Sequence, residues 1–411
     1  MKLLLNLLWF FSFLGLRAQN TPTLNAETKP LSPAPYFSYK NGLGFTTPDS
    51  SYSLNIRFRM QNRMGMNTQS DEDLSPETFE FRVRRCRLSF TGHVYNPKLT
   101  YYIQLSFSRG DMDWDVNDAS KINTSVNAVR DAIVFYRPSE NLQIGVGQTK
   151  LPGNRQRVIS SGAQQFYDRS IVNALYTLDR DMGFFATYKL HLGSNSFALL
   201  KGAITSGEGR NTTASNSGLA YTGRVEFLPF GAFTDGGDYY EGDLARETKP
   251  KLSFGGSYHL NDMALRTQGE LGKDLYEARS FEAYIADLVF KYRGLALSSE
   301  YLMRRSDNPI TLNSKGEKRA LVVGDGINTQ LSYCSKSMWE VAGRYTLARP
   351  DKSVYTYQNQ IEQYGIGLTK YIMKHKVKVQ GNIFYNREKN LQSSTELNKF
   401  YTAVFQIELG I

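Results

Sequence analysis

Cysteine is nearly absent from this sequence: the two present, Cys86 and Cys334, stand far apart in the chain. Two such residues cannot staple a small disulfide scaffold, and a two-cysteine metal site would need further ligands that the sequence does not group with them. Histidine is scarce too, at four residues: His93, His191, His259 and His375. None of them is spaced as a metal-ligating pair and no serine nucleophile motif occurs, so neither metal nor cofactor chemistry is expected. After Ala18 no apolar run reaches half the length of a spanning helix. The mean hydropathy of −0.43 would ordinarily point to a soluble protein. It does not exclude a β-barrel, whose strands turn only alternate residues toward lipid.

Before Ala18 the picture differs. Lys2 is followed by a run from Leu3 to Leu16 that is apolar apart from Asn6 and Ser12, and then by Arg17-Ala18-Gln19. A basic start, a short apolar stretch and a small residue at its end predict a cleaved secretory signal peptide over residues 1–18. No cysteine stands near the cleavage point, which argues against a lipoprotein anchor.

What the chain has in abundance is aromatic residues and positive charge. Tyr and Phe number 26 and 24 against 3 Trp; both suit strands, and tyrosine suits the girdles at a membrane interface. Lys plus Arg outnumber Asp plus Glu by 49 to 39. Such an excess suits nucleic acid, an anionic lipid surface or a pathway for anions. Export removes nucleic acid from the expected partners and leaves outer-membrane lipid and small anions.

The 411 residues could make several globular domains or one large barrel, so periodicity must decide. Pro30, Pro33, Pro35 and Pro48 mark residues 19–50 as an N-terminal periplasmic segment leading into a barrel over 51–411. From there alternation dominates. Tyr52, Leu54, Ile56, Phe58 and Met60 interleave with Ser53, Asn55, Arg57 and Arg59, and Trp339 to Leu347 and Tyr364 to Leu368 repeat the pattern. Tight turns are expected at 96–98, 138–141, 193–195, 261–262, 293–294, 335–336 and 374–375. Long segments lie between the pairs, chiefly Ser108–Arg130 and Gly147–Gly183. Short turns facing the periplasm and long loops facing outward are the asymmetry of outer-membrane barrels. Seventeen strands are clear, and Gly231–Tyr240 is the candidate for one more. The predicted fold is therefore all-β: a transmembrane antiparallel barrel of 16 strands, with 18 as the alternative. Tyr401, Ala403, Phe405, Ile407, Leu409 and Ile411 form a last apolar series like a barrel assembly signal, although Ile411 stands where an aromatic residue is usual. All four histidines fall at or near predicted periplasmic turns, away from the outer face where barrel hydrolases work, so no enzymatic activity is expected.

Several segments resemble the phosphate-selective porin O and P family. They are Asn41-Gly-Leu-Gly-Phe, Arg57-Phe-Arg-Met-Gln-Asn-Arg63 and Arg84-Arg-Cys-Arg-Leu-Ser-Phe-Thr-Gly92, then Gly147-Gln-Thr-Lys-Leu-Pro-Gly-Asn-Arg-Gln-Arg157, Asp168-Arg-Ser170 and Asp179-Arg-Asp-Met-Gly183. The resemblance covers roughly the first half of the exported chain. It implies a homotrimeric 16-stranded outer-membrane porin with a basic constriction, and it does not by itself imply phosphate as the solute.

The residues supply a mechanism. Arg57 and Arg59 lie on the polar face of their strand. Arg82 and Arg84 oppose Phe79, Phe81 and Val83, and beyond them the apolar phase moves to Cys86, Leu88 and Phe90, leaving Arg85 and Arg87 on the polar face. A one-residue slip of that kind predicts a β-bulge. A charge facing lipid costs roughly 2–4 kcal/mol, so the arginines should form one wall of the lumen. Their guanidinium forks suit phosphate. Asp71, Glu72, Asp73 and Glu77 lie close enough in sequence to neutralise part of that wall and leave a general pore. In the Gly147–Gly183 loop, Asp168, Asp179 and Asp181 neighbour Arg169 and Arg180, predicting local ion pairs. Lys150, Arg155 and Arg157 have no such neighbour and are expected to meet passing solute. Two placements of this loop stay open: folded into the lumen, or at the outer rim on lipid phosphates. The expected function is passive diffusion of small hydrophilic solutes, phosphate or other anions favoured. The rival is a surface barrel whose loops bind an extracellular or outer-membrane partner.

Overall fold

The computed structural model describes residues 37–39, 42–108, 128–212 and 216–411. The expected signal peptide and most of the 108–130 loop lie outside the described residues.

Two short strands, β1 (Phe37–Ser38) and β2 (Leu43–Thr46), come first. The ring begins with β3 (Tyr52–Thr68), β4 (Pro76–Val94), β5 (Asn96–Ser106), β6 (Val129–Tyr136) and β7 (Leu142–Lys150). It runs on through β8 (Arg180–His191), β9 (Phe197–Thr205), β10 (Ala220–Leu228), β11 (Lys251–Arg266), β12 (Asp274–Tyr292) and β13 (Leu295–Arg305). A separate hairpin of β14 (Ile310–Leu312) and β15 (Lys318–Ala320) follows. The last ring strands are β16 (Gly324–Cys334), β17 (Trp339–Pro350), β18 (Gln360–Met373), β19 (Val377–Asn390) and β20 (Thr395–Gly410). Each ring strand pairs antiparallel with the next, and β20 pairs back onto β3, closing a barrel of 16 strands to which β1 and β2 add two more.

The alternation of the sequence becomes the alternation of faces. Along β10, Tyr221 and Val225 are exposed toward lipid while Thr222, Arg224 and Glu226 are buried in the lumen. Tyr345, Tyr364, Tyr385 and Tyr401 are successive cross-strand partners on the outer face, with neighbouring ring centroids 5.1, 6.5 and 5.1 Å apart. They form an arc of the expected aromatic girdle.

Two local readings of the sequence are corrected. Gly231–Tyr240 contains a 3₁₀ turn over Thr234–Tyr239 and no strand. Asn261-Asp262 is no turn: both residues lie inside β11, where a register shift runs from Asn261 to Ala264 and Met263 has a φ of 60°. A bulge borrows the left-handed backbone of a turn while the ladder continues, so the two look alike in sequence. His259 consequently sits at the loop end of its strand, away from the turns. The turn side also carries one long connection, residues 229–250, which reaches Ala163 of the inward loop through the Glu241 N–H at 2.9 Å.

Candidate anion pathway in the lumen

The bulge expected between Val83 and Cys86 is present. Gln61 pairs with Arg85 and Asn62 with Val83, so Arg84 is the extra residue. In a regular strand consecutive side chains point to opposite faces. The bulge lets Arg84 and Arg85 both enter the lumen, and both reach one carboxylate of the inward loop. Asp168 Oδ2 accepts from Arg84 at 2.8 Å, Oδ1 accepts from Arg85 at 3.0 Å, and Arg63 lies 3.4 Å from Oδ2. Burial would raise the Asp168 carboxyl, but Arg85, Arg84 and Arg63 hold it well below the usual carboxylate range.

Asp179, where the loop leaves for β8, has the same kind of surroundings. Its oxygens meet Arg157, Arg180 at 3.4 Å and Arg210 at 3.7 Å. Burial opposes its ionisation, and the three guanidinium groups overcome that and depress it strongly. Each loop carboxylate thus has three guanidinium groups around it. Arg169 is pulled well below its ordinary range, first by burial and then by Arg157 and Arg85, a sign of how positive the surroundings are.

The loop enters the lumen, as one of the two expected placements had it, and it crosses from wall to wall. It contains helices α1 (Arg155–Val158) and α2 (Ile171–Tyr176). Ser161 accepts from Arg59 and Arg87 on β3 and β4 at 2.7 and 3.1 Å. On the far side of the ring Arg155 meets Asp287 of β12 at 2.6 Å, and the Gln156 N–H donates to Glu300 of β13 at 2.7 Å. Phe166 is 1 % exposed and packs with Phe384 and Ala342, its ring edge beside Gly367. A Cβ on Gly367 would lie 3.1 Å from Phe166, so the notch that seats the loop depends on glycine.

The wall arginines have other partners than Asp71, Glu72, Asp73 and Glu77. Arg82 pairs with Glu80, and Arg59 lies 3.6 Å from Glu408. Asp71 instead accepts from Tyr385, and Asp73 caps its own loop at Ser75. Arg57 is exposed near the turn end of β3, beside Gly42. Lys150, Arg155 and Arg157 are not left bare to solute. Lys150 donates to the carbonyls of Val158 and Ile159, Arg155 is buried on Asp287, and Arg157 is paired with Asp179. Their partners come from distant strands and from the loop's own fold, which nearest-neighbour reading cannot reach. Asp168 likewise pairs with the wall rather than with Arg169, whose guanidinium caps carbonyls of Gln156 and Ile159.

On the loop side a cavity of about 580 Å³ collects, among the described residues, Arg63, Arg82, Arg84, Arg85, Arg87, Arg130, Arg157, Arg169 and Arg210 against Glu80, Asp168 and Asp179. Arg63, Arg130 and Arg210 were not singled out from the sequence. Arg63 continues the polar alternation of Arg57 and Arg59, a signal that was there to be read, whereas Arg130 and Arg210 stand beside long loops. Among the described residues no cluster of His, Cys, Asp and Glu is built to hold a metal ion. Cys86 and Cys334 are both free thiols.

The model of the phosphate-selective porin O and P family matches residues 54–307. The outer membrane channel DcaP of Acinetobacter baumannii superposes with a TM-score of 0.54 at 11 % identity, over 90 % of this chain and 99 % of that one. Salmonella typhi OmpF, in complex with daunomycin, gives 0.54 at 16 % identity, covering 88 % and 98 %. The trimer form of OmpT from Vibrio cholerae gives 0.51 at 11 % identity, covering 88 % and 100 %. At these identities the likeness is one of fold. A search of curated proteins finds no match.

Proposed function

The chain belongs to the phosphate-selective porin O and P family of outer-membrane channels, and we propose that it passes small anions, phosphate among them, by passive diffusion. The observation that carries this reading is the loop-side cavity, where nine arginines stand against three carboxylates among the described residues. In a narrow, low-dielectric lumen such an excess focuses the field and concentrates anions at the mouth of the constriction. A solute oxygen would compete with each loop carboxylate for the guanidinium groups around it, and exchange between neighbouring sites keeps each one weak enough to release the ion. The wall we assign to this role is Arg59, Arg82, Arg84, Arg85 and Arg87, joined by Arg63 and Arg157. Lys150 and Arg155 hold the loop, and Arg57 lies nearer the turn-side mouth.

We place residues 1–18 as the exported leader and the working form as a homotrimer, as in the trimer form of OmpT. Chemical crosslinking of the folded protein tests the trimer. The test of the channel is the reversal potential across a planar bilayer under a KCl gradient, with and without phosphate. Reversal toward the chloride potential, weakened in R82S/R87S, supports the anion pathway; an unselective channel reduces it to a general porin. The loop's span from β4 to β12 favours a second reading, a barrel whose loops bind an outside partner. A folded barrel without conductance would put that reading first.

A further inference from the structure

We infer that the loop-side cavity prefers anions carrying an apolar body, such as aryl phosphates, over inorganic phosphate. This rests on the anion-channel reading above and names the solute class of the same site.

The lumen face is polar along β10, at Thr222, Arg224 and Glu226, whereas β12 carries Phe281, Ile285 and Val289 there and β20 carries two apolar residues that reach the arginine cavity. Phe400 pairs with Asn386 and Val404 with Asn382, both asparagines buried on the lumen side, so Phe400 and Val404 face inward as well. Both line the arginine cavity, together with Tyr167 and Ile171 of the inward loop and Leu271 of the loop between β11 and β12. Apolar and basic surfaces are contiguous there. Val404 pairs across the closing seam with Gly65 and shows only an edge to the cavity, and the next inward pair toward the turns is Gln406 with Arg63. The Arg63 guanidinium lies 4.6 Å from the centre of the Tyr167 ring. An inorganic ion meets only the arginines. A solute whose anionic head takes the guanidinium groups while its ring lies against Tyr167, Phe400 and Val404 also removes apolar surface from water, which adds to its binding.

The experiment measures half-blocking concentrations for the full chain in a planar bilayer with three anions. Inorganic phosphate supplies the head alone, phenyl phosphate adds an apolar ring, and glycerol phosphate adds comparable bulk that is polar. Phenyl phosphate is expected to block at about tenfold lower concentration than either of the others, ~1.4 kcal/mol. F400A and the nearly isosteric V404T should each narrow that gap and leave the phosphate block unchanged. Phosphate block with no advantage for phenyl phosphate, or an advantage matched by glycerol phosphate, overturns this inference and leaves the anion channel standing. A gap that survives both substitutions overturns it too. Block by none of the three anions removes the anion reading and this inference with it.

Discussion

Arg84, the one residue of β4 without a cross-strand partner at the bulge, grips Asp168 Oδ2 through both Nε at 3.1 Å and a terminal nitrogen at 2.8 Å. A local irregularity of the wall thereby fixes a loop whose chain position is 84 residues away. Bulges re-aim side chains at functional places, and here the re-aimed side chain ties the constriction to the basic wall. Removing the loop carboxylate has a definite consequence. Asp168→Asn leaves three guanidinium groups facing a neutral amide and should cost on the order of 3 kcal/mol. The expected outcome is a lower melting temperature together with noisier and larger single-channel conductance, as the loop leaves the wall. Unchanged conductance would mean that Asp168 does not hold the constriction.

Arg155 and the wall arginines should separate by readout. Arg155→Ala strips from Asp287 one of its two guanidinium partners, Arg224 at 2.7 Å remaining. A thermal-stability loss of about 3 kcal/mol is expected with the reversal potential unmoved, because Arg155 lies outside the loop-side cavity. A shift of selectivity toward cations equal to that of R82S/R87S would place Arg155 in the conducting path after all.

The aromatic seat of the loop can be tested from either side. Phe166→Ala empties a fully buried site and should cost about 3–5 kcal/mol. Gly367→Val drives a side chain into the same ring and should loosen the loop without removing any contact group. Both variants should increase proteolytic cleavage within residues 155–176 relative to the parent.

Glu270 gives the outer loops a pH response. It is buried 3.5 Å from His259, faces Arg304 and Asp181, and accepts from the Asp179 N–H at 3.3 Å. Burial, and then Asp181, pushes its carboxyl up to about 8 from an ordinary 4.5. Between those values the folded protein keeps a proton that the unfolded chain has released, so this group's contribution to stability falls as pH rises through the window and levels off above about 8. Hydrogen exchange in residues 267–273 should accelerate from pH 6 to 8.5 in the parent and stay flatter in Glu270→Gln. Identical slopes in both would assign the response to another group.

The alternation of β3, β4 and β20 and the slip at Val83–Cys86 were readable because a strand's period is two and one face must meet lipid; any break in phase has to appear in the residues themselves. Charge at Arg59, Arg82, Arg84, Arg85 and Arg87 was readable as lumen-facing for the same reason. The Asn261-Asp262 bulge was misread as a turn because the two share a local conformation, and the tie between His259 and Glu270 was lost with it.

Sequence by itself determined the alternation of faces along the strands, where the bulge falls and that the β3 and β4 arginines turn away from lipid, all of which follow from local periodicity and the cost of charge in hydrocarbon. Only the closed barrel decided who pairs with whom. Asp168 finds Arg63, Arg84 and Arg85, and Arg155 finds Asp287, because ring closure and an inward loop bring residues from distant strands within a few ångströms. Ion pairing depends on that distance and on burial, neither of which a linear chain records.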